Sequence, residues 1–287
     1  MPKKSKNLLI DDPTRTLTLR NRAVSEVNRR WGTLKKLVTQ SIVKNKIFVD
    51  NVQPLTKDNF VFLRNPQKLE RFDQWLSLTM SEIILSGGDD LTALELNWLL
   101  EYFKESYSKG AKKANNDLAD ILGRNQVPIQ PDIYSIPIHI NKIQLLFSRD
   151  FTQLKGITET VGQQLNYHLS QGLLEGQNPR KIARILNDRI DKIGINRSRL
   201  LARTEIINTH NLGYINQGGL LSDMLGEEVV YRWITTGDIK VRDEHITRNN
   251  KYYSYEKVVT LIGEPNCRCA VTAIPTSRVP DASTIIR

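Results

Sequence analysis

Apolar residues recur at three- and four-residue intervals from residue 18 to residue 221, and this helical period limits the chain's fold more than any other feature. Residues 18 to 47 read as a basic helix with Leu34, Val38 and Ile42 at spacings of four. Leu69, Phe72, Leu76, Ile83 and Ile84 carry the period between Pro66 and Leu85, and Gly87-Gly88 stops it. After the capping pair Asp89-Asp90, residues Leu91 to Leu122 place Leu94, Trp98 and Tyr102 at helical spacing, with Gly110 as the break. Gly123, Pro128, Pro131 and Pro137 together exclude a helix and predict a linker over 123 to 137. The period resumes from Ile138 to Leu174. Gly176-Gln177-Asn178-Pro179 then joins a stop, an N-cap and a first-turn proline, which predicts a helix from Pro179 to Ile190. A further amphipathic helix from Ser198 to Leu221 should end near Gly218-Gly219.

The texture changes at Glu228. Val229 to Thr235 is β-branched and aromatic, and Cys267 to Ile274 alternates in the same way, so a small sheet should close the chain. From Pro275 onward a poorly ordered tail is expected. The fold class is α+β and mostly α-helical: a helical N-terminal module, then a helical domain with a small C-terminal β-sheet. In sequence order this divides into a basic arm (1–47), a helical module with its Pro-rich linker (48–137), a second domain (138–275) and the tail (276–287).

Composition bounds the function. With 287 residues, 39% of them apolar, the chain can bury a full core and has room for two domains. No apolar stretch approaches the roughly 20 residues of a membrane span. Asp11, Asp12 and Arg15 follow the basic start where a signal peptide would be apolar. Two cysteines separated by one residue are no disulfide framework and fit a reducing compartment or a surface site.

The net charge of +10 is concentrated: residues 1 to 47 hold twelve lysines or arginines against Asp11, Asp12 and Glu26. Such an arm gains affinity for phosphates by counterion release. Its candidate contacts are Lys3, Lys4, Lys6, Arg29, Arg30, Lys35 and Lys36, facing double-stranded DNA or an acidic partner protein. The plain alternative is a solvated helix that keeps the chain soluble.

Three clusters stand out in the last third: Ala202-Arg203-Thr204-Glu205 with Asn208; Trp233-Ile234-Thr235-Thr236-Gly237-Asp238 running on to Val241-Arg242 and His245; and Pro265-Asn266-Cys267-Arg268-Cys269. In this order and spacing they resemble the phage head morphogenesis family, the minor head proteins related to the F protein of phage Mu. The resemblance covers roughly residues 150 to 275. It implies a minor capsid component of a tailed phage or prophage, acting in head assembly near the portal and in genome packaging or ejection. The implied partners are portal, capsid or scaffold proteins, with packaged DNA as a further one. The implied location is the virion, after assembly in the host cytoplasm. The family brings no defined catalytic residues. Where it usually has a glycine about five residues after the histidine, this chain has Asn250, the next-best residue at positive φ.

The clusters also permit chemistry of their own. His245, Cys267 and Cys269, with Asp238 or His210 as a fourth ligand, could form a zinc site; the alternative is a hydrogen-bonded histidine beside two structural thiols. On a regular strand Cys267 and Cys269 would sit about 6.6 Å apart, from a rise of about 3.3 Å per residue. Tetrahedral zinc needs sulfurs about 3.8 Å apart. Both cysteines therefore reach one metal only if the chain turns after Pro265. The same separation disfavours a disulfide between them.

Glu205, Asn208 and Thr209 form one polar stripe on a helix, while Arg203 and His210 share another face. Pairing Arg203 or Glu205 with Asp238 and Arg242 would lock helix to sheet. Trp233 completes the constellation. Enzyme readings are weaker: the Arg-Thr-Glu run lacks the Glu-x-Glu or Gln-x-Glu pair of ADP-ribosyltransferases, and an HNH-type nuclease needs a histidine after His245. Neither a phosphate-binding loop nor a serine nucleophile elbow is present. The expectation is a binding protein, with a virion-carried nuclease or transferase as the alternative.

Overall fold

A computed structural model describes residues 12–49, 52–54, 60–63, 65–86, 97–128 and 132–287. The elements are α1 (Leu17–Thr39), β1 (Val52–Pro54), β2 (Phe60–Phe62), α2 (Asn65–Ile83), α3 (Trp98–Leu122), α4 (Pro137–Leu174), α5 (Pro179–Arg189), α6 (Asn196–Leu225), β3 (Val229–Ile234), α7 (Asp243–Arg248), β4 (Tyr252–Tyr253), α8 (Tyr255–Leu261) and β5 (Ala270–Pro275). The α+β, mostly helical class is observed. No helix among the described residues is long and apolar enough to cross a membrane.

The chain forms two compact units that interleave in sequence. One takes its described residues from 12–21, 101–147 and 202–287, the other from 22–100 and 148–201. The sequential division at 47/48 and 137/138 does not coincide with these borders, because helices far apart in sequence share each core.

In the unit of 22–100 and 148–201, α1 is a core helix. Ala23, Val27, Trp31, Leu34 and Val38 recur at three- and four-residue spacing and are at most 1% exposed. Trp31 packs on Gly194, where an added Cβ would lie 2.6 Å from the ring, and its indole N–H donates to Ser198 Oγ at 3.0 Å. A π-helical turn, Gln40–Lys44, follows α1 and buries Ile42. Phe48 meets Phe72 of α2 edge-on at 5.1 Å. The predicted start of α5 is observed, with the Asn178 side chain accepting from the Arg180 N–H and Pro179 in the first turn.

The described part of the basic arm is the helix α1, and several of its cations have partners within the protein. Arg29 and Arg30 both reach Glu26, Arg30 also donates to the Ile83 carbonyl at 2.6 Å, and Lys35 pairs with Asp191 at 2.5 Å. The apolar stripe buries one face of α1, and these cations are drawn to carboxylates and carbonyls beside it. Lys36 is exposed. Lys3, Lys4 and Lys6 lie outside the described residues.

In the other unit, α3 and α6 cross backbone to backbone. A Cβ on Gly110 would fall 2.0 Å from the His210 carbonyl oxygen, and one on Gly213 would fall 2.3 Å from that of Tyr107. Gly110 is thus the contact point of a continuous helix and no break. Likewise α6 runs through Gly218 and Gly219 to Leu225, leaving room there for the rings of Tyr231 and Tyr255. Of the predicted linker, residues 129–131 lie outside the described residues, and on either side of them Val127 and Ile133 are buried.

The sheet has the order β4-β3-β5 and is antiparallel, with Tyr231 opposite both Tyr253 and Ala273. Val229, Tyr231 and Trp233 alternate onto the face that packs with Tyr214, Ile215 and Leu118. Val230 and Ile274 occupy the other face, and Val279 and Ile285 cover them. That need for cover orders the tail: the Ile286 N–H donates to the Tyr252 carbonyl, and the Ser254 N–H to that of Ile286. The expected disorder after Pro275 is therefore corrected.

Candidate functional site

The site grows from the two connections of the sheet. After β3, the chain passes Gly237 at φ +71° and enters α7, whose only buried residue is His245. It returns through Asn250, which adopts φ +62°, the conformation expected of a residue standing in for glycine. The Asn250 N–H donates to the Trp233 carbonyl at 2.8 Å, and Asn249 Oδ1 accepts from the Thr235 N–H. Trp233 thus anchors α7, with its ring against His245 edge-on at 5.9 Å and Arg248 over its face at 5.4 Å.

The second connection runs from α8 to β5. Here the chain does turn after Pro265: Asn266 adopts φ +57°, and the Cys267 N–H bonds the Glu264 carbonyl at 3.0 Å. The strand begins only at Ala270, so both cysteines precede it and the regular-strand spacing does not apply. His245 Nδ1 lies 3.3 Å from Cys269 Sγ and 3.4 Å from Cys267 Sγ. Its Nε2–H donates to Glu264 Oε2 at 2.8 Å.

Electrostatics follow from this arrangement. The neighbouring Cys269 thiol and the Cys269 backbone N–H, which donates to Cys267 Sγ, bring the Cys267 pKa below the usual thiol value. Cys269, beside Cys267 and buried, is pushed upward. Burial works against the Glu264 carboxylate, yet hydrogen bonds from Arg248 and His245 carry its pKa below the usual carboxylate value. Arg242 and Arg248 each reach Glu264 at 2.9 Å.

Several predicted partners are placed elsewhere. Asp238 is held bidentately by Arg268 at 2.6 and 2.7 Å, which lowers its pKa to about 2 and excludes it from the sulfur cluster. His210 lies on α6, 2% exposed, and joins no cluster of ligating atoms with His245. Arg203 is exposed and pairs with neither Asp238 nor any residue of that loop in the way expected, because Arg268 already supplies the charge. Glu205 accepts from Asn208 at 3.0 Å along the predicted stripe. The helix-to-loop lock is made by neutral groups instead: Thr204 Oγ1 accepts from the Asn266 N–H at 3.0 Å, and Asn211 donates to the Cys269 carbonyl at 2.9 Å.

Sequence reasoning missed Glu264, Arg248 and Asn211, and named Thr204 only as a member of its cluster. Of the three missed, Glu264 alone carried a signal, since it immediately precedes the Pro265-to-Cys269 motif.

Residues 163–272 match the model of the family described as phage Mu protein F like protein. The resemblance is shown over that stretch, which contains α5, α6, β3, α7, α8 and every residue of the sulfur cluster. No curated protein and no solved structure matches the chain.

Proposed function

We propose that the chain is a minor head protein of a tailed phage or prophage, working in head assembly by binding and not by catalysis. The observation that carries this reading is the family match over 163–272, centred on a constellation whose charged groups are spent on one another. Arg268 with Asp238, and Arg242 and Arg248 with Glu264, leave a rigid unit suited to docking on portal, capsid or scaffold protein.

In this reading the protein sits in the virion near the portal vertex after assembly in the host cytoplasm, and has a part in packaging or ejecting the genome. Contact with double-stranded DNA falls to Lys3, Lys4, Lys6 and the exposed Arg29 and Lys36, since Arg30 and Lys35 are engaged with other segments of the fold. A phosphate contact made by so few cations has a shallow salt dependence.

The test is quantitative mass spectrometry of purified heads before and after DNA release, with portal protein as the copy standard. A few copies per portal ring support the reading, and loss with the DNA supports a role in ejection. Absence from heads at every stage of assembly, with abundance in the lysate, overturns it.

A further inference from the structure

We infer that His245, Cys267 and Cys269 form a zinc site with three protein ligands, Nδ1 and two sulfurs, and that Glu264 is the positioning carboxylate behind the histidine. The three ligating atoms all lie within 4.8 Å of one another. For tetrahedral zinc, bond lengths of about 2.0 Å to nitrogen and about 2.3 Å to sulfur put nitrogen and sulfur about 3.5 Å apart. The observed separations are 3.3 and 3.4 Å, so a metal enters with only slight expansion.

The surroundings have the form that ligation needs. A metal-bound imidazole gives its other ring N–H to a carboxylate or carbonyl, which fixes the tautomer. Here Nε2–H bonds Glu264, and that leaves the Nδ1 lone pair directed at the two sulfurs. Arg242 and Arg248 hold Glu264 in its ionised form. The Cys269 N–H donates to Cys267 Sγ at 3.4 Å, the contact that stabilises a thiolate. The loop is shaped from outside as well, by Thr204 on the Asn266 N–H and Asn211 on the Cys269 carbonyl. Ligand type selects the ion: two thiolates and an imidazole suit zinc over magnesium or calcium.

Asp238, occupied by Arg268, is not the fourth ligand. A cavity of about 100 Å³ opens beside the cluster, lined among others by Thr236, Lys240, Arg242 and Asn266, and it has room for a water to complete the coordination. The ion would tie α7 to the loop before β5, the two connections that carry the family-like motifs. Binding releases the thiol protons to solvent and requires no change of oxidation state. This inference does not depend on the head-protein reading.

The experiment uses the full chain, produced with zinc in the medium and purified under reducing conditions. Expected are close to one zinc per chain by elemental mass spectrometry, and thiolate-to-metal charge-transfer absorption after exchange for cobalt. Cys267→Ser and Cys269→Ser should each retain zinc at least tenfold less well against a fixed chelator, while Asp238→Asn retains it like the parent. Glu264→Gln, which preserves a hydrogen-bond acceptor, should fall between them. The cobalt spectrum of the parent decides the matter even where a cysteine variant does not fold. Zinc below about a tenth of an equivalent with no charge-transfer band overturns the site, as does retention of zinc by both folded cysteine variants.

Discussion

The two units solve opposite packing problems. In the unit of 22–100 and 148–201 the centre is apolar, with Trp31, Leu34, Val38, Phe72 and Leu76 at most 1% exposed and the ion pairs placed around them. In the unit of 12–21, 101–147 and 202–287, hydrogen-bonding groups lie in the middle. The Tyr107 hydroxyl donates to His139 Nδ1 at 2.9 Å and accepts from Asn216 at 3.0 Å; His139 Nε2–H donates to Gln217 at 3.0 Å, and Tyr255 closes the chain on Asn216. An apolar centre answers mainly to volume, whereas a polar one fails when a single partner is removed.

That contrast sets the expected order of effects. Trp31→Ala should be the most damaging, since it removes the largest buried side chain of its unit and the partner of Ser198 and Gly194. A loss of about 3–5 kcal/mol is expected by denaturant unfolding, and a loss near zero would mean the apolar centre repacks freely.

Acid should act on the polar unit. Burial lowers the pKa of His210 to about 4 and also lowers that of His139. Both fall below the unfolded value of about 6.5. Between those limits the unfolded chain binds more protons, so stability rises with pH: it is fully present above about 6.5 and lost as pH falls toward 4. His210 contributes on the order of 3 kcal/mol over that window. Amide exchange at pH 7 and pH 5 should show α6 losing protection before the part of α1 around Trp31, and His210→Gln should flatten the difference. The reverse order of loss would break the comparison.

Tyr107→Phe keeps the volume but strands His139 Nδ1 and the Asn216 amide, at a cost of about 1–3 kcal/mol. Trp31→Phe is its counterpart in the apolar unit, and thermal unfolding of the two variants compares a lost polar link with a lost contact. Lys35→Ala should have the smallest effect, under about 1 kcal/mol, because its pair with Asp191 is partly exposed. A larger change in its denaturation midpoint would show that the rim ion pairs carry more than this contrast assigns to them.

Much of this was legible in sequence because helical period and cap chemistry are local. The Asn178-Pro179 start and the β3 strand follow from residues next to one another, and the positive φ of Asn250 from the glycine that the resemblance places there. The errors came where a partner was remote. Gly110 and Gly218-Gly219 read as breaks, yet each makes room for a backbone or ring from a distant segment. The partners of Lys35 and Arg30 on α1, Asp191 and the Ile83 carbonyl, are remote as well and leave no local signal. The chemistry of His245, Cys267 and Cys269 groups them in sequence, whereas nothing local shows that Asp238, one of the two candidate fourth ligands, is held by Arg268.

The sequence by itself determined the helical class and the closing sheet, because periodicity and side-chain chemistry are properties of the chain. Only the tertiary structure decided which cations face carboxylates, which glycines are contacts and which ring nitrogen meets the sulfurs. Those outcomes depend on groups far apart in the chain, as with Lys35 and Asp191, 156 residues apart, and no local pattern encodes a distance of 2.5 Å between them.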